Sequence, residues 1–103
     1  MMEIRYPTVE RVIEYNVLAI SLIKVKKGDK AQVLSRERIE GIIEGCKEID
    51  GDIYDKATYL LKSLIRLHPF ASGNRRTAFI VTKEFLTKMA QYLTCLMTQV
   101  KLG

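Results

Sequence analysis

The apolar residues of this chain recur almost everywhere at helical spacing, and that periodicity constrains the fold more than any other feature. Val9, Val12, Ile13, Val17, Ile20 and Ile23 fall on one helical face. Thr8 is placed to cap that helix, with Glu10 favourable in its first turn. A second face is formed by Ile39, Ile42, Ile43 and Cys46, with Ser35 as its cap. A third helix starts at Asp52 or Asp55. Its stripe of Ala57, Leu60, Leu61, Leu64, Ile65 and Leu67 is broad, as expected of a helix central to a core, and Pro69 ends it. The turn Ser72-Gly73-Asn74 opens a fourth helix, whose buried side is read as Phe79, Thr82, Phe85, Leu86 and Met89. Ala90–Leu102 continues that helix or forms a fifth. Only Lys24–Val33, around Gly28-Asp29, shows weak alternation, so it is a short β-hairpin or a basic loop. The expectation is an all-α fold of four to five helices, one domain over residues 1–103.

Composition narrows the function. No apolar run approaches the roughly 20 residues that span a bilayer, so no membrane association is expected. The start of the chain lacks a basic region followed by an apolar one, so the expectation is a cytoplasmic protein. Cys46 and Cys95 are far apart and read as two reduced thiols. His68 is the only histidine, and the closely spaced ligands of a zinc site are absent. No nucleophile-elbow pattern surrounds any serine. The net charge of +5 suits an anionic nucleotide, an acidic protein or nucleic acid. Nucleic acid is the least expected of these, because no groove-reading or aromatic–basic motif accompanies the charge.

One stretch between two strongly patterned helices stands apart: His68-Pro69-Phe70-Ala71-Ser72-Gly73-Asn74-Arg75-Arg76-Thr77. A glycine turn leads into a helix start, whose first N–H groups lack internal partners and, with the helix dipole, attract an anion. Gly73 lets the backbone approach a phosphate. Arg75 and Arg76 add guanidinium groups that grip phosphate oxygens in pairs of hydrogen bonds. Asn74 can hold the loop or orient a ligand, and His68 can take a proton from a hydroxyl near neutral pH. These are the parts that phosphoryl or nucleotidyl transfer needs. The same residues also have a structural reading: His68 as a helix C-cap, Ser-Gly-Asn as an ordinary turn, the arginines as a solvated face. Against it, two arginines in a first helical turn oppose the helix dipole, a conflict that a bound anion removes.

The stretch HPFASGNRRTAF resembles the signature of the Fic/Doc family, which runs His-Pro-Phe-x-Asp/Glu-Gly-Asn. The signature continues Gly-Arg-x-x-Arg in the Fic branch and Lys-Arg-Thr-Ala in the death-on-curing (Doc) branch. His68, Pro69, Phe70, Gly73, Asn74, Arg76, Thr77 and Ala78 match the Doc version. Looser similarity at Tyr6-Pro7-Thr8, Leu64–Leu67 and Lys83–Leu86 extends the resemblance over about residues 4–90. It implies a transferase that moves phosphate, or a nucleotidyl group, from ATP or another nucleoside triphosphate to a protein Ser or Thr. His68 would be the general base. Ser72, Gly73, Asn74, Arg75 and Arg76 would hold the nucleotide phosphates, with Asn74 and Arg76 counted in the catalytic set. Phe70 would anchor the loop in the core. The family's target-binding flap is assigned to Lys47, Glu48, Ile49 and Asp50, ahead of the turn at Gly51.

The chain departs from the family pattern at two positions. The family's acid, which binds Mg2+, is Ser72 here, a neutral and weaker ligand for a hard cation. Arg75 stands where Doc has Lys and Fic has Gly, and Phe79 replaces the final Fic arginine. Charge at Arg75 favours the Doc branch and, with it, phosphate transfer. Ser35 and Glu40-Gly41 do not have the spacing of the family's inhibitory motif. The resemblance therefore implies outside regulation by an antitoxin partner and a translation factor as target. Only Ala90–Gly103 follows the motif helix, where relatives have one or two more helices, so the expectation is either a homodimer that completes the core or a tail that has diverged or been truncated. A degenerate module that binds nucleotide or protein without turnover is the alternative.

Overall fold

The computed structural model describes residues 4–22 and 30–102. Among the described residues the fold has four helices: α1 (Val9–Leu22), α2 (Arg36–Glu48), α3 (Ile53–Arg66) and α4 (Asn74–Leu102). Among the described residues no strand forms, and the all-α expectation stands. Most of the segment read as hairpin or basic loop lies outside the described residues. The tail forms no fifth helix: it continues α4, which runs 29 residues.

The first three helices start where side-chain chemistry satisfies their first N–H groups. Thr8 Oγ1 accepts from Arg11 N at 3.1 Å, and Ser35 Oγ from Arg38 N at 3.1 Å. Asp52 accepts from Tyr54 N and Asp55 N, while the Asp55 carboxylate accepts from Asp52 N, a reciprocal capping box. Asp52 is therefore the cap and Asp55 its partner.

α4 packs along α3 and α1, and α2 lies against α3 with a smaller contact to α1. The shared core is Val12, Ile39, Ile42, Ile43, Cys46, Ala57, Leu60, Leu64, Phe70, Ala78, Val81 and Phe85. The expected face of α2 is buried in full. Of the other expected core positions, Val9, Ile13, Leu61, Ile65 and Leu86 are half-buried, Ile23 lies outside the described residues, and Val17 is 48% exposed, Leu67 47% and Phe79 59%. Leu67 is the C-cap of α3, beyond its last regular turn. On α1 the inward position next to Val17 is taken by Asn16, and on α4 the inward positions near Phe79 are Ala78 and Val81–Thr82.

Helix length explains the exposure of the α4 tail. At about 1.5 Å per residue α4 is roughly twice as long as α3. Beyond Met89, no described side chain of α4 is buried.

Lys56 is the unexpected member of the interior, only 6% exposed. Its Nζ donates to the carbonyls of Cys46, Lys47 and Ile49 at 3.2, 3.2 and 2.9 Å. A cation there satisfies the last carbonyls of α2 and meets the negative end of its dipole.

Candidate functional site

The stretch from His68 to Thr77 joins α3 to α4, and four contacts fix its shape. Pro69 O accepts from Leu34 N at 2.8 Å and Ser35 N at 3.2 Å, and Ala71 N donates to Gln32 O at 2.9 Å, so Val33 and Phe70 pair as a single antiparallel bridge. Phe70 is 1% exposed and anchors the loop in the core, a burial worth about 1.5–3 kcal/mol. The amide of Asn74 then closes the turn on itself: Oδ1 accepts from Phe70 N at 3.0 Å and Nδ2 donates to Phe70 O at 2.8 Å. Asn74 is thus the clasp of the loop as well as the first residue of α4.

The fourth contact comes from a residue the sequence reading passed over. Asn16, on α1, is 1% exposed and donates through Nδ2 to Ser72 O at 2.9 Å and to Thr77 Oγ1 at 3.1 Å. A polar residue between Val12 and Ile20 on the inward face of a helix needs partners, and that was the available signal. Arg38 was also missed. Its Nη1 donates to Leu67 O at 3.1 Å and to His68 O at 3.4 Å, holding the end of α3 from the first turns of α2.

Two residues in the loop have left-handed backbone, Gly73 at φ +72° and His68 at φ +46°. At Gly73 a Cβ would lie 2.8 Å from Ile20 Cδ1 and 3.4 Å from Asn16 Nδ2, so both conformation and space require glycine. At His68 the same region is costly for a side-chain-bearing residue, and such strain concentrates at functional sites. The imidazole is exposed, and its Nδ1 stands 3.4 Å from Asn74 Nδ2. An amide nitrogen can only donate, so in this contact Nδ1 accepts and a neutral ring carries its proton on Nε2. Taking a proton on Nε2 needs the other tautomer, and an exposed ring reorients freely enough to leave so long a contact.

The structure therefore gathers His68, Ser72, Gly73, Asn74, Arg75 and Arg76 within one turn and the helix start that follows. Arg75 is exposed and Arg76 half-buried. It does not bring the assigned flap to them. Lys47 and Glu48 are helical and end α2, and Ile49 and Asp50 belong to the α2–α3 connection. The first turns of α2 and the last turn of α3 meet at His68, so this connection sits a full helix length away, about 20 Å. The turn at Asp50-Gly51 only joins two helices. The chain beside the motif is instead Gln32–Ser35.

The magnesium ion implied by the resemblance does not fit the residues present. Ser72 offers a hydroxyl where a carboxylate is needed, and no Asp or Glu occurs from Lys56 to Lys83. Among the described residues no group of three or more His, Cys, Asp or Glu could hold a metal, and no helix is long and apolar enough to cross a membrane.

No curated protein and no solved structure matches the chain. The model of the Fic/DOC family matches residues 10–86, from the first helix through the loop to the middle of α4. With three-quarters of its length matched and the signature loop clasped between α3 and α4, this chain belongs to the Fic/DOC family.

Proposed function

We propose that the chain is a transferase of the Doc type, moving the terminal phosphate of a nucleoside triphosphate to a Ser or Thr hydroxyl of a protein. Nucleotidyl transfer is the variant of the same reading. The observation that carries it is the Asn74 clasp on Phe70, which closes the short loop between the exposed, strained His68 and the helix start bearing Gly73, Arg75 and Arg76. A base and an anion-attracting helix start are thereby held within one short loop.

In the proposed step the target hydroxyl oxygen attacks phosphorus, and its proton passes to His68 Nε2. The bond between the transferred phosphorus and the donor's bridging oxygen breaks, releasing a nucleoside diphosphate (pyrophosphate for nucleotidyl transfer). Backbone N–H groups of Gly73–Arg76 and the guanidinium of Arg76 stabilise charge on the transferring group. A translation factor as target, an antitoxin as regulator and a homodimer are the partners this reading proposes.

The test is incubation of the native chain and His68→Ala with cell extract and ATP labelled on the γ- or the α-phosphate. Label transferred from the γ position by the native chain only supports phosphate transfer; label from the α position supports nucleotidyl transfer. No labelled protein with either donor overturns the transferase reading. It leaves the second reading, a module that holds nucleotide without turnover, which Ser72 favours.

A further inference from the structure

We infer that this loop binds its phosphate-bearing ligand as the free anion, without a divalent cation. The inference rests on the nucleotide reading above and concerns which form of the ligand the site accepts.

Ser72 is no interchangeable loop residue. Its carbonyl is fixed by Asn16, the next residue is held at φ +72° against Ile20, and Asn74 is locked onto Phe70. A loop held at three successive positions cannot swing another donor into the place of the missing acid. Along the chain from Lys56 to Lys83 there are six basic residues and no acidic one, and among the described residues no cluster of three or more His, Cys, Asp or Glu could hold a metal. The nearest acid after the motif, Glu84, is engaged by Arg11 and Lys88.

Charge then decides the ligand form. A divalent cation brought to this turn meets the positive end of the α4 dipole and the guanidinium of Arg75, with no carboxylate at position 72 to offset them. A free nucleoside triphosphate carries more negative charge than its magnesium complex, so it gains more from the same helix start and arginines. The expected site is one in which the arginines occupy the role that a carboxylate-bound metal would have had, neutralising phosphate oxygens.

Calorimetric titration of ATP into the native chain tests this, in excess EDTA and in excess Mg2+, with Ser72→Asp in parallel. Native binding should be at least as tight in EDTA as in Mg2+. Ser72→Asp should reverse the order, weakening binding in EDTA by about tenfold and recovering it with Mg2+. Mn2+ titrated with ATP and followed by electron paramagnetic resonance should show bound metal only in Ser72→Asp. Native binding that needs Mg2+ overturns the inference and leaves the nucleotide reading standing. Absence of ATP binding in both buffers overturns the two together.

Discussion

Asn16 Nδ2 reaches across from α1 to within 2.9 Å of the carbonyl oxygen of Ser72 and 3.1 Å of the hydroxyl of Thr77. One buried amide thereby sets the position of the loop's central residue and of the first turn of α4. Asn16→Ala removes the donor from a part-buried carbonyl and a buried hydroxyl, at a cost of about 1–3 kcal/mol. Chemical denaturation should show that loss. Phosphate or ATP should then stabilise the variant less than the native chain, because the loop is no longer pre-formed. An unchanged ligand-induced shift in Tm would show that Asn16 serves stability alone.

Gly73 is confined twice over, by its positive φ and by Ile20. Gly73→Ala should destabilise by about 1–3 kcal/mol, since it adds backbone strain to a close contact. Trimming the neighbour in Gly73→Ala/Ile20→Val should recover only the contact part. Full recovery in that double variant, measured by thermal unfolding, would show that φ is not a constraint there.

Lys56 replaces the solvent that would otherwise satisfy the end of α2. Lys56→Met keeps the aliphatic stem but removes the donor from three carbonyls. The expected cost is about 1.5–3 kcal/mol, the range for hydrogen bonds to charged groups. Lys56→Arg should recover little, because the planar fork does not fit three carbonyls around one point. Stability equal to native in Lys56→Met would contradict this reading.

Glu84 links α4 to α1 through Arg11 and to its own helix through Lys88. Burial raises its pKa, but hydrogen bonds and charge from Lys88 and Arg11 outweigh that, and the net shift is below the ordinary carboxylate value. A depressed folded-state pKa means stability that is present above the unfolded pKa and lost as pH falls through the folded one. Native stability should therefore decline below about pH 4.5, and Glu84→Gln should show a shallower decline there. With partly solvated partners the difference should be about 1 kcal/mol or less. Identical acid profiles for the two proteins would remove Glu84 from the account.

Burial also raises the pKa of the Cys46 thiol, whereas Cys95 is exposed. A thiol-reactive probe should label one site promptly, lost in Cys95→Ser, and a second only on unfolding. Rapid labelling of both would show that the α2–α3 contact opens readily.

Much of this protein follows from local sequence. Thr8, Ser35 and Asp52 mark helix starts because a short side-chain oxygen one turn ahead of an apolar stripe satisfies N–H groups that nothing else reaches. Ile39, Ile42, Ile43 and Cys46 predict their own burial because a helix with one apolar face has one way to hide it. His68–Arg76 is legible as a unit because the residues that shape it are contiguous, and turn chemistry acts over a few residues. Tertiary structure decided the rest. Val17 and Phe79 have the right period but lie at the edge of their stripes, where the neighbouring helix no longer covers them. Asn16 and Ser72 are far apart in sequence, and only the packing of α1 on α4 brings the amide to the carbonyl. The Asp50-Gly51 turn carries no sign of which end of the α2–α3 pair faces His68. That depends on helix direction, set by the contacts of Arg38 and Gln32–Ser35 with the motif. Long-range hydrogen bonds and relative helix placement leave no periodic trace in a sequence, because they are properties of pairs of elements.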